Sequence, residues 1–576
     1  MINKILRNFV RLGLVSIYPL IIFLCFYLIW RKDKYRKAIK ENYKKIIFCT
    51  LIFAIVITVG LIVFFSIEDT IYVYDYAGHW RRSLILREMF FKDPLSVLPK
   101  VYDSMLNDDY SFLPALFQLG PMVLNTSYSY FCIVTFFGFL IPTFVLFQIM
   151  YCAYFGKNSV ISLLAMCLFY PIYITLFYGK LDIAGLFFVL MAMALIVFPN
   201  FEEIDFIDNC SMNLFGFVMI FLRRWYLYTL ITIYLVYFVK YILNCKNKPF
   251  KDFSNGLIKI FTSGFVLLLI IIVFFMPFFK NVIGNNFAEA YDFYNREGKI
   301  TNLINFYSPI IILISFYGCY ILFKSKNTEN RKILLYLIIL SIVPTMMFWH
   351  VQSFEYHHYN IINLNVLFLF TIGLSHILTK NILIVFLTIV LLGSQVINIF
   401  IENNIKIPLA THIKRIPEVR SDKRQIIELT NYLKSITTEQ GEYAYLASNT
   451  YYFNDDLLRN AILPDLDCPN IDSAVFDLRD GFPKDLQYVR YIITVDPILY
   501  MDEDYQHMFE VITNSILNEP EIKKLYNPIK KFELEGMELT IFEKTSDWTT
   551  ETKQYFYKEM LKYYPDKEDY FLYILD

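Results

Sequence analysis

The chain has 576 residues, of which 56% are hydrophobic and 18% charged, and its formal net charge is zero. A soluble protein of this length needs more polar residues to cover its surface, so the composition indicates a membrane protein. The balanced charge gives no support to a nucleic-acid partner. The nine cysteines are scattered without a CxxC spacing, so we expect neither a disulfide framework nor a structural zinc site.

Apolar segments long enough to cross the hydrocarbon of a bilayer, about 20 residues, recur up to residue 402. They predict a polytopic α-helical membrane domain, residues 1–402, with about twelve spans. The shortest segment is expected to tilt or to join the next one through a break at Arg223-Arg224. The predicted spans are 13–30, 46–66, 128–150, 159–177, 182–199, 213–222, 226–243, 256–278, 303–323, 333–349, 361–378 and 382–401.

Basic residues in short loops indicate which face of the membrane is cytoplasmic. The segment "RKDKYRKAIKENYKK" (31–45) has eight basic residues and two acids, so we expect it inside. Counting spans onward also places the loops 200–209, 244–252 and 324–332 inside, although the first of these is acidic. Everything after residue 402 then lies outside the cytoplasm. The expected location is a cell membrane, and the richness in Lys, Asn, Ile and Tyr is consistent with a bacterial source.

The first outer loop, residues 67–127, begins with "VYDYAGHWRRS" (73–83), which places Asp75, His79 and Arg81 directly after an apolar segment. Two short helices are predicted next, the second with Asp93 at its N-cap. Its apolar side chains are expected to form one face that lies in the membrane interface: Leu95, Leu98, Val101 or Tyr102, and Met105.

Three further outer segments contain most of the other unusual ionisable residues. They are "YGKLDIAGL" (178–186) with Lys180 and Asp182, "FLRRWYLYTL" (221–230) with Arg223 and Arg224, and "WHVQSFEYHHYN" (349–360) with His350, Glu355, His357 and His358. Charged groups inside or beside spans are costly, so their convergence on one face indicates a polar substrate there.

The polar C-terminal third, residues 403–576, is predicted to form an α/β domain outside the cytoplasm. The segment 421–436 has apolar residues at helical spacing. "EYAYLAS" and "VRYIITVD" are short apolar runs typical of buried strands, and "FELEGMELTIFEKT" predicts a hairpin that turns at Glu535-Gly536.

These motifs and their order resemble the GT-C glycosyltransferases, membrane enzymes that use polyprenyl-phosphate sugars and include protein O-mannosyltransferases and lipid A aminoarabinose transferases. "VYDYAGHW" matches the position where that family keeps its catalytic aspartate. "FLRRWYLYTL" resembles the stretch where many members keep a basic residue near the donor phosphate. Many members have an adjacent acidic pair where this chain has Asp75 alone, so Asp69 or Asp182 could supply the second acid, and whether a divalent metal takes part stays open.

The resemblance implies a hexosyltransferase, usually inverting at the anomeric carbon. Asp75 is expected to act as general base toward an acceptor hydroxyl. The residues expected to bind the donor phosphate or the substrate are His79, Arg81, Lys180, Asp182, Arg223, Arg224, Glu355, His357 and His358. The expected partners are a polyprenyl-phosphate-linked sugar, a glycan, lipid or protein acceptor, and membrane lipids.

The same residues are also consistent with simpler roles. Asp75 could be an acid at a helix end, the arginines could reach toward lipid head groups, and the 349–360 loop could be a membrane boundary with aromatic anchors. A transporter or flippase of lipid-linked sugars, or a surface-glycan polymerase or ligase, is the main alternative function. A transporter is expected to show internal repeats and mid-membrane polar groups, and the sequence shows no fixed-period repeat.

Overall fold

A computed structural model describes residues 2–108, 110–156, 159–245, 250–284, 296–402, 410–437, 442–450, 452–473, 486–499 and 503–575. The chain divides into two compact units. The first contains Met1–Ser66 and Arg82–Pro417, and the second contains Ile67–Arg81 and Glu418–Asp576. The start of the predicted first outer loop therefore folds with the C-terminal residues. The predicted domain boundary at residue 403 lies outside the described residues.

The first unit is helical throughout its described part, apart from connecting turns. The helix Asp75–Lys92 starts in the second unit and continues into the first. The main helices are Ile2–Arg31, Asp33–Ile67, Asp75–Lys92, Val97–Asn107, Leu113–Met122, Tyr128–Phe155, Ser159–Leu168, Leu186–Ala192, Phe206–Leu222, Tyr226–Cys245, Phe250–Phe274, Met276–Gly284, Arg296–Lys324, Thr328–Val351, Asn360–Ile377 and Ile382–Phe400.

Among the described residues, eight helices are long and apolar enough to cross a membrane. They correspond to eight of the predicted spans. The other four predicted spans fall on shorter apolar helices, which are Ser159–Leu168, Leu181–Val197, Phe206–Leu222 and Gly264–Phe274. The chain is therefore a helical membrane protein, while a total of twelve spans stays a prediction.

Ion pairs link the loops that were predicted to be cytoplasmic. Arg31 pairs with Asp205 at 3.0 Å, and Lys34 pairs with Glu329 at 2.7 Å. Lys32 also binds the carboxylate of Asp208. The acidic loop 200–209 and the loop 324–332 therefore lie on the same face of the first unit as the basic segment 31–45. This contact explains how an acidic loop is accommodated on a basic face.

The interfacial helix of the first outer loop differs from the prediction. Asp93 occupies the N-cap position of a short 3₁₀ turn, but its side chain makes no capping hydrogen bond. The predicted single apolar face is divided, because Val101 and Met105 are buried in a core of the first unit. The side chains left exposed are Leu95, Leu98 and Tyr102. The helix Val97–Asn107 thus packs one apolar side against the core and leaves a second apolar side exposed.

The described part of the second unit contains five strands, which are β1 Ala444–Leu446, β2 Ile471–Ser473, β3 Tyr491–Asp496, β4 Tyr526–Leu534 and β5 Met537–Lys544. They form one mixed sheet in the order β2-β1-β3-β5-β4. β1 pairs in parallel with β2 and β3, while β5 pairs antiparallel with β3 and β4. The predicted buried strands and the hairpin are confirmed, and Gly536 adopts φ of +75° at the turn. The strand β2 was not anticipated.

Helices cover both faces of this sheet. The predicted helix is observed as Lys423–Ile436 and buries Ile426, Leu429 and Leu433 against the sheet. The helices Glu503–Asn518 and Thr550–Tyr563 contribute to a second core that includes Tyr526 and Trp548. The second unit is therefore a three-layer α/β structure, whereas the sequence predicted an α/β domain but not its layers.

Candidate functional site

The centre of the candidate site is a buried ion pair in the first unit. Arg223 Nε donates to Asp182 Oδ1 at 2.8 Å, and the two side chains are 3% and 0% exposed. The backbone carbonyl of Asp182 also accepts a hydrogen bond from the Tyr226 hydroxyl at 2.7 Å. Arg223 lies at the predicted helix break, with extended dihedral angles of −155° and 121° between the helices that end at Leu222 and begin at Tyr226. The break therefore turns the guanidinium toward Asp182.

Two aromatic rings hold the guanidinium of Arg223. Its Cζ lies 4.0 Å from the Trp225 ring centroid and 4.6 Å from that of Tyr110. Stacking on aromatic faces and a hydrogen bond through Nε together fix the plane of the guanidinium. Tyr110, Trp225 and Tyr226 were not predicted as site residues. The one sequence feature that could have indicated two of them is that Trp225 and Tyr226 directly follow Arg223 and Arg224.

A second polar group joins this pair. Lys180 Nζ lies 2.8 Å from His357 Nδ1 and 3.9 Å from Glu355 Oε2. An ammonium group can only donate, so His357 Nδ1 accepts and the ring proton lies on Nε2. The tautomer of His358 is determined in the same way, because the Glu355 backbone N–H donates to His358 Nδ1 at 3.0 Å. Trp225 contacts both imidazole rings, with centroid distances of 5.6 and 4.6 Å.

The charged side chains of this group differ in burial. Those of Lys180 and Arg223 are 11% and 3% exposed, and the carboxylate of Asp182, which pairs with Arg223, is fully buried. The second carboxylate, Glu355, is 58% exposed and lies at the outer limit of ion-pair distance from Lys180. Burying a charge is costly unless it is compensated, and Asp182 provides such compensation for Arg223 within the first unit.

Two glycines let the segment 178–186 carry these side chains. Gly179 ends a 3₁₀ turn at φ of +60°, where a Cβ would overlap the hydroxyl of Tyr128. Gly185 packs so closely on the ring of Tyr226 that a Cβ there would overlap it. Both positions need a residue without a side chain, so the backbone can pass close to its neighbours and present Lys180 and Asp182.

The structure thus brings together, within the first unit, five predicted site residues: Lys180, Asp182, Arg223, Glu355 and His357. His358 joins them through Trp225. The three segments containing these residues, which were predicted to lie on one face, are therefore neighbours in the folded first unit.

Two other ionisable residues of these loops, Arg224 and His350, are less buried than Arg223. Arg224 follows Arg223 in the helix break and is half-buried, and its carbonyl accepts from the Leu227 N–H at 3.0 Å. His350 is exposed in the last turn of the helix Thr328–Val351. The substrate contact predicted for Arg224 therefore stays a prediction.

The remaining predicted residues belong to the second unit. Asp75 is the first residue of the helix Asp75–Lys92, and His79 is 2% exposed. Arg81 Nη2 lies 3.0 Å from the Cys468 sulfur. Asp69, the alternative acid, is paired with Lys423. The second alternative acid, Asp182, binds Arg223 in the first unit, so each of these two acids has a basic partner of its own.

The side chains of this cluster that could bind a metal ion are its histidines and carboxylates. Across the described ranges, no group of three or more His, Cys, Asp and Glu side chains is positioned to hold a metal ion. Asp182 Oδ1 accepts from Arg223, and the Nδ1 atoms of His357 and His358 accept hydrogen bonds from Lys180 and from the Glu355 backbone. Whether a divalent metal takes part stays open.

Comparison with known proteins gave a structural likeness. No protein-family model matches the sequence, and no curated protein matches it. The chain is similar to a solved structure of the archaeal oligosaccharyltransferase AglB from Archaeoglobus fulgidus, in complex with an inhibitory peptide and a dolichol-phosphate. The TM-score is 0.32 at 12% identity, over 81% of this chain and 64% of that one. The chain thus spans under two thirds of the length of that structure.

Proposed function

We propose that the chain transfers a sugar from a polyprenyl-phosphate-linked donor to an acceptor hydroxyl at the outer face of the membrane. The observation that carries this proposal is the gathering of two buried cations: Arg223 lies over the rings of Trp225 and Tyr110, and Lys180 joins the same group through His357. Arginine binds phosphate through charge-assisted hydrogen bonds, and the donor has such a phosphate at its lipid end.

The cluster has a direct role in bond breaking. When the bond between the anomeric carbon and the phosphate oxygen breaks, negative charge increases on the departing polyprenyl phosphate. A cation whose orientation is already fixed stabilises that charge without reorganising during the reaction. Asp182 and the two rings fix Arg223, and His357 and Glu355 hold Lys180 close by.

Asp75 is proposed as the general base. The acceptor hydroxyl must lose its proton as it attacks the anomeric carbon, and a carboxylate within hydrogen-bond reach can accept it. A direct attack inverts the anomeric centre and needs no covalent sugar–enzyme intermediate. This role comes from the resemblance of "VYDYAGHW" to the GT-C motif, and the neighbouring His79 and Arg81 are proposed to contact substrate.

The test is turnover with defined donors. The purified chain and its Asp75→Asn variant are supplied with a panel of polyprenyl-phosphate sugars and candidate glycan, lipid and peptide acceptors. Release of polyprenyl phosphate and binding of the donor are both measured. We expect the parent to release polyprenyl phosphate and Asp75→Asn to lose at least about 100-fold in rate while still binding donor, since removal of a general base costs about 10²–10⁴-fold. Asp103→Asn, an exposed acid in the same outer loop, is the matched control and should keep its turnover.

Two results would overturn the proposal. If the parent releases nothing with any donor but moves a lipid-linked sugar across liposomes, the chain is a transporter. If Asp75→Asn turns over as fast as the parent, the transferase assignment can stand but Asp75 is not the base.

A further inference from the structure

The segment that contains Asp75 is built into the fold of the second unit. Asp69 forms a parallel bridge with Val419, and its backbone N–H donates to the Glu418 carbonyl at 2.8 Å. Ile71 is buried in the core formed by the helix Lys423–Ile436 and the sheet, and Val73 packs against the same core. Residues 67–73 are therefore anchored by side chains and backbone groups that follow them by more than 340 positions in the chain.

Tyr74, the residue directly before Asp75, has a strained backbone. Its φ is +52°, a region that residues with a side chain rarely adopt. Within the described part of the chain, Ser308 is the only other non-glycine residue with a positive φ. Such a conformation persists only when surrounding contacts over-determine it, and it often occurs at functional sites. Here it sets the direction in which the helix Asp75–Lys92 begins.

Polar side chains from one short stretch of the second unit hold Tyr74. The carboxylate of Asp456 accepts from the Tyr74 backbone N–H. Asn454 Nδ2 donates to the Tyr74 hydroxyl at 2.9 Å, and that hydroxyl lies 3.5 Å from Asn449 Oδ1. Asn454 is itself fixed as the N-cap of the helix Asp455–Asn460, because its Oδ1 accepts from the Leu457 N–H.

Asp456 is partly buried beside this backbone. Burial raises the pKa of its carboxyl above the ordinary value for aspartate, and the Tyr74 N–H opposes that rise. The carboxylate of Asp456 therefore has less hydration than a surface aspartate and accepts the Tyr74 N–H in its place.

We propose that Asp456 and Asn454 are positioning residues for Asp75: they hold Tyr74 in its strained conformation and thereby aim the first turn of the helix that contains the general base. This inference rests on the role proposed for Asp75. It also assigns a task to the C-terminal α/β fold, which is to shape the catalytic segment of the first outer loop. A displacement of about 1 Å at a reacting group can lower a rate about 100-fold, so loss of the Asp456 contact should act on turnover.

The test uses full-length variants in detergent. Asp456→Ala removes the acceptor of the Tyr74 N–H, whereas Asp456→Asn keeps a carbonyl oxygen that can accept the same bond. Asn454→Asp keeps the N-cap acceptor for Leu457 but removes the donor to the Tyr74 hydroxyl. Asp455→Asn is the matched control, because Asp455 is the adjacent acid and its contacts are with Ser473 and Arg459. Turnover, KM for the donor, and hydrogen exchange of the amides of residues 74–78 are measured for each.

We expect kcat to fall about 10- to 100-fold in Asp456→Ala with little change in the donor KM, and to recover largely in Asp456→Asn. Exchange of the 74–78 amides should quicken in Asp456→Ala and not in Asp455→Asn. Unchanged exchange and turnover in Asp456→Ala would overturn the proposal, as would equal losses in Asp456→Ala, Asp456→Asn and Asp455→Asn. If the parent shows no turnover at all, the transferase proposal fails. In that case, faster exchange in Asp456→Ala would still show that Asp456 holds Tyr74 in place. The proposal that this contact positions a general base would nevertheless be overturned.

Discussion

Arg223 is a buried cation whose position is determined by several neighbours. Its Nε donates to Asp182 at 2.8 Å, and its Cζ lies over the rings of Trp225 and Tyr110. Replacing a buried ion pair by apolar residues often stabilises a protein, so such a pair is weak evidence for a role in stability. The aromatic contacts of Arg223 and the nearby Lys180 are the basis for the donor-binding role proposed for this pair.

This geometry makes a prediction for Arg223→Lys. Lysine retains the positive charge but lacks the planar guanidinium that stacks between the rings and donates through Nε. A hydrogen bond to a charged group contributes about 1.5–3 kcal/mol, so we expect kcat/KM for the lipid-linked donor to fall about 10- to 100-fold. Steady-state release of polyprenyl phosphate measures the effect. Arg424→Lys is the control, because Arg424 is 90% exposed and pairs with Glu428 on one helix face. Equal activities of Arg223→Lys and the parent would show that charge alone is sufficient.

At the scale of elements, the short segment 178–186 depends on glycine more than its apolar sequence indicates. Gly179 and Gly156 both end helical turns with nearly the same left-handed conformation, φ of +60° and +57°. A Cβ at Gly179 would overlap the Tyr128 hydroxyl, whereas a Cβ at Gly156 would meet nothing within 4 Å. Alanine at Gly156 would therefore test the cost of backbone strain alone, whereas alanine at Gly179 would add the cost of overlap with Tyr128.

We predict that Gly156→Ala lowers the free energy of unfolding by about 1–2 kcal/mol, the cost of a left-handed residue with a side chain. Gly179→Ala should lower it by about 1–3 kcal/mol more, because Tyr128 must move to make room. It should also weaken donor binding, since Lys180 follows directly. Thermal unfolding in detergent and the donor KM measure the two effects. Similar behaviour of the two variants would contradict the importance of the Tyr128 contact.

At the scale of the whole molecule, the loops between the helices of the first unit form two groups. The ion pairs of Arg31 and Lys34 join the loops 31–45, 200–209 and 324–332, and the contacts of Arg223 and Lys180 join the segments 178–186, 221–230 and 349–360. A donor whose tail stays in the bilayer would present its phosphate–sugar bond at the membrane surface, where the second group is expected to lie. The sidedness itself is a prediction from the positive charge of residues 31–45.

Cysteine labelling in intact cells tests that sidedness. In a background with Cys210→Ser, because Cys210 is exposed, we predict that a membrane-impermeant thiol reagent labels Tyr452→Cys and does not label Asp33→Cys. Both positions are well exposed, at 78% for the residue Tyr452 and 87% for the Asp33 side chain, so access is limited by the membrane alone. After lysis of the cells, the reagent should label both introduced cysteines. The reverse pattern in intact cells would invert the topology.

Local sequence patterns were sufficient to predict most of the long helices and four of the five described strands. The apolar segments predicted the eight long helices, the spacing of Ile426, Leu429 and Leu433 predicted the helix Lys423–Ile436, and Glu535-Gly536 predicted the hairpin turn. These features depend on side-chain periodicity and on the conformational freedom of glycine, which a few adjacent residues determine. The candidate residues of the site were also visible, because charge beside an apolar span is conspicuous.

Only the tertiary structure decided how those pieces combine. The stacking of Tyr110 on Arg223, the pairing of β2 with β1, the division of the apolar face at Val101 and Met105, and the docking of residues 67–81 in the second unit all join segments that are not adjacent in sequence. Such contacts depend on which surfaces remain to be buried once the helices and strands have formed. By itself the sequence determined a helical membrane protein with a C-terminal α/β region and a set of ionisable residues. The long-range packing decided which of those residues share a site and that Tyr74, before Asp75, is held by Asn454 and Asp456.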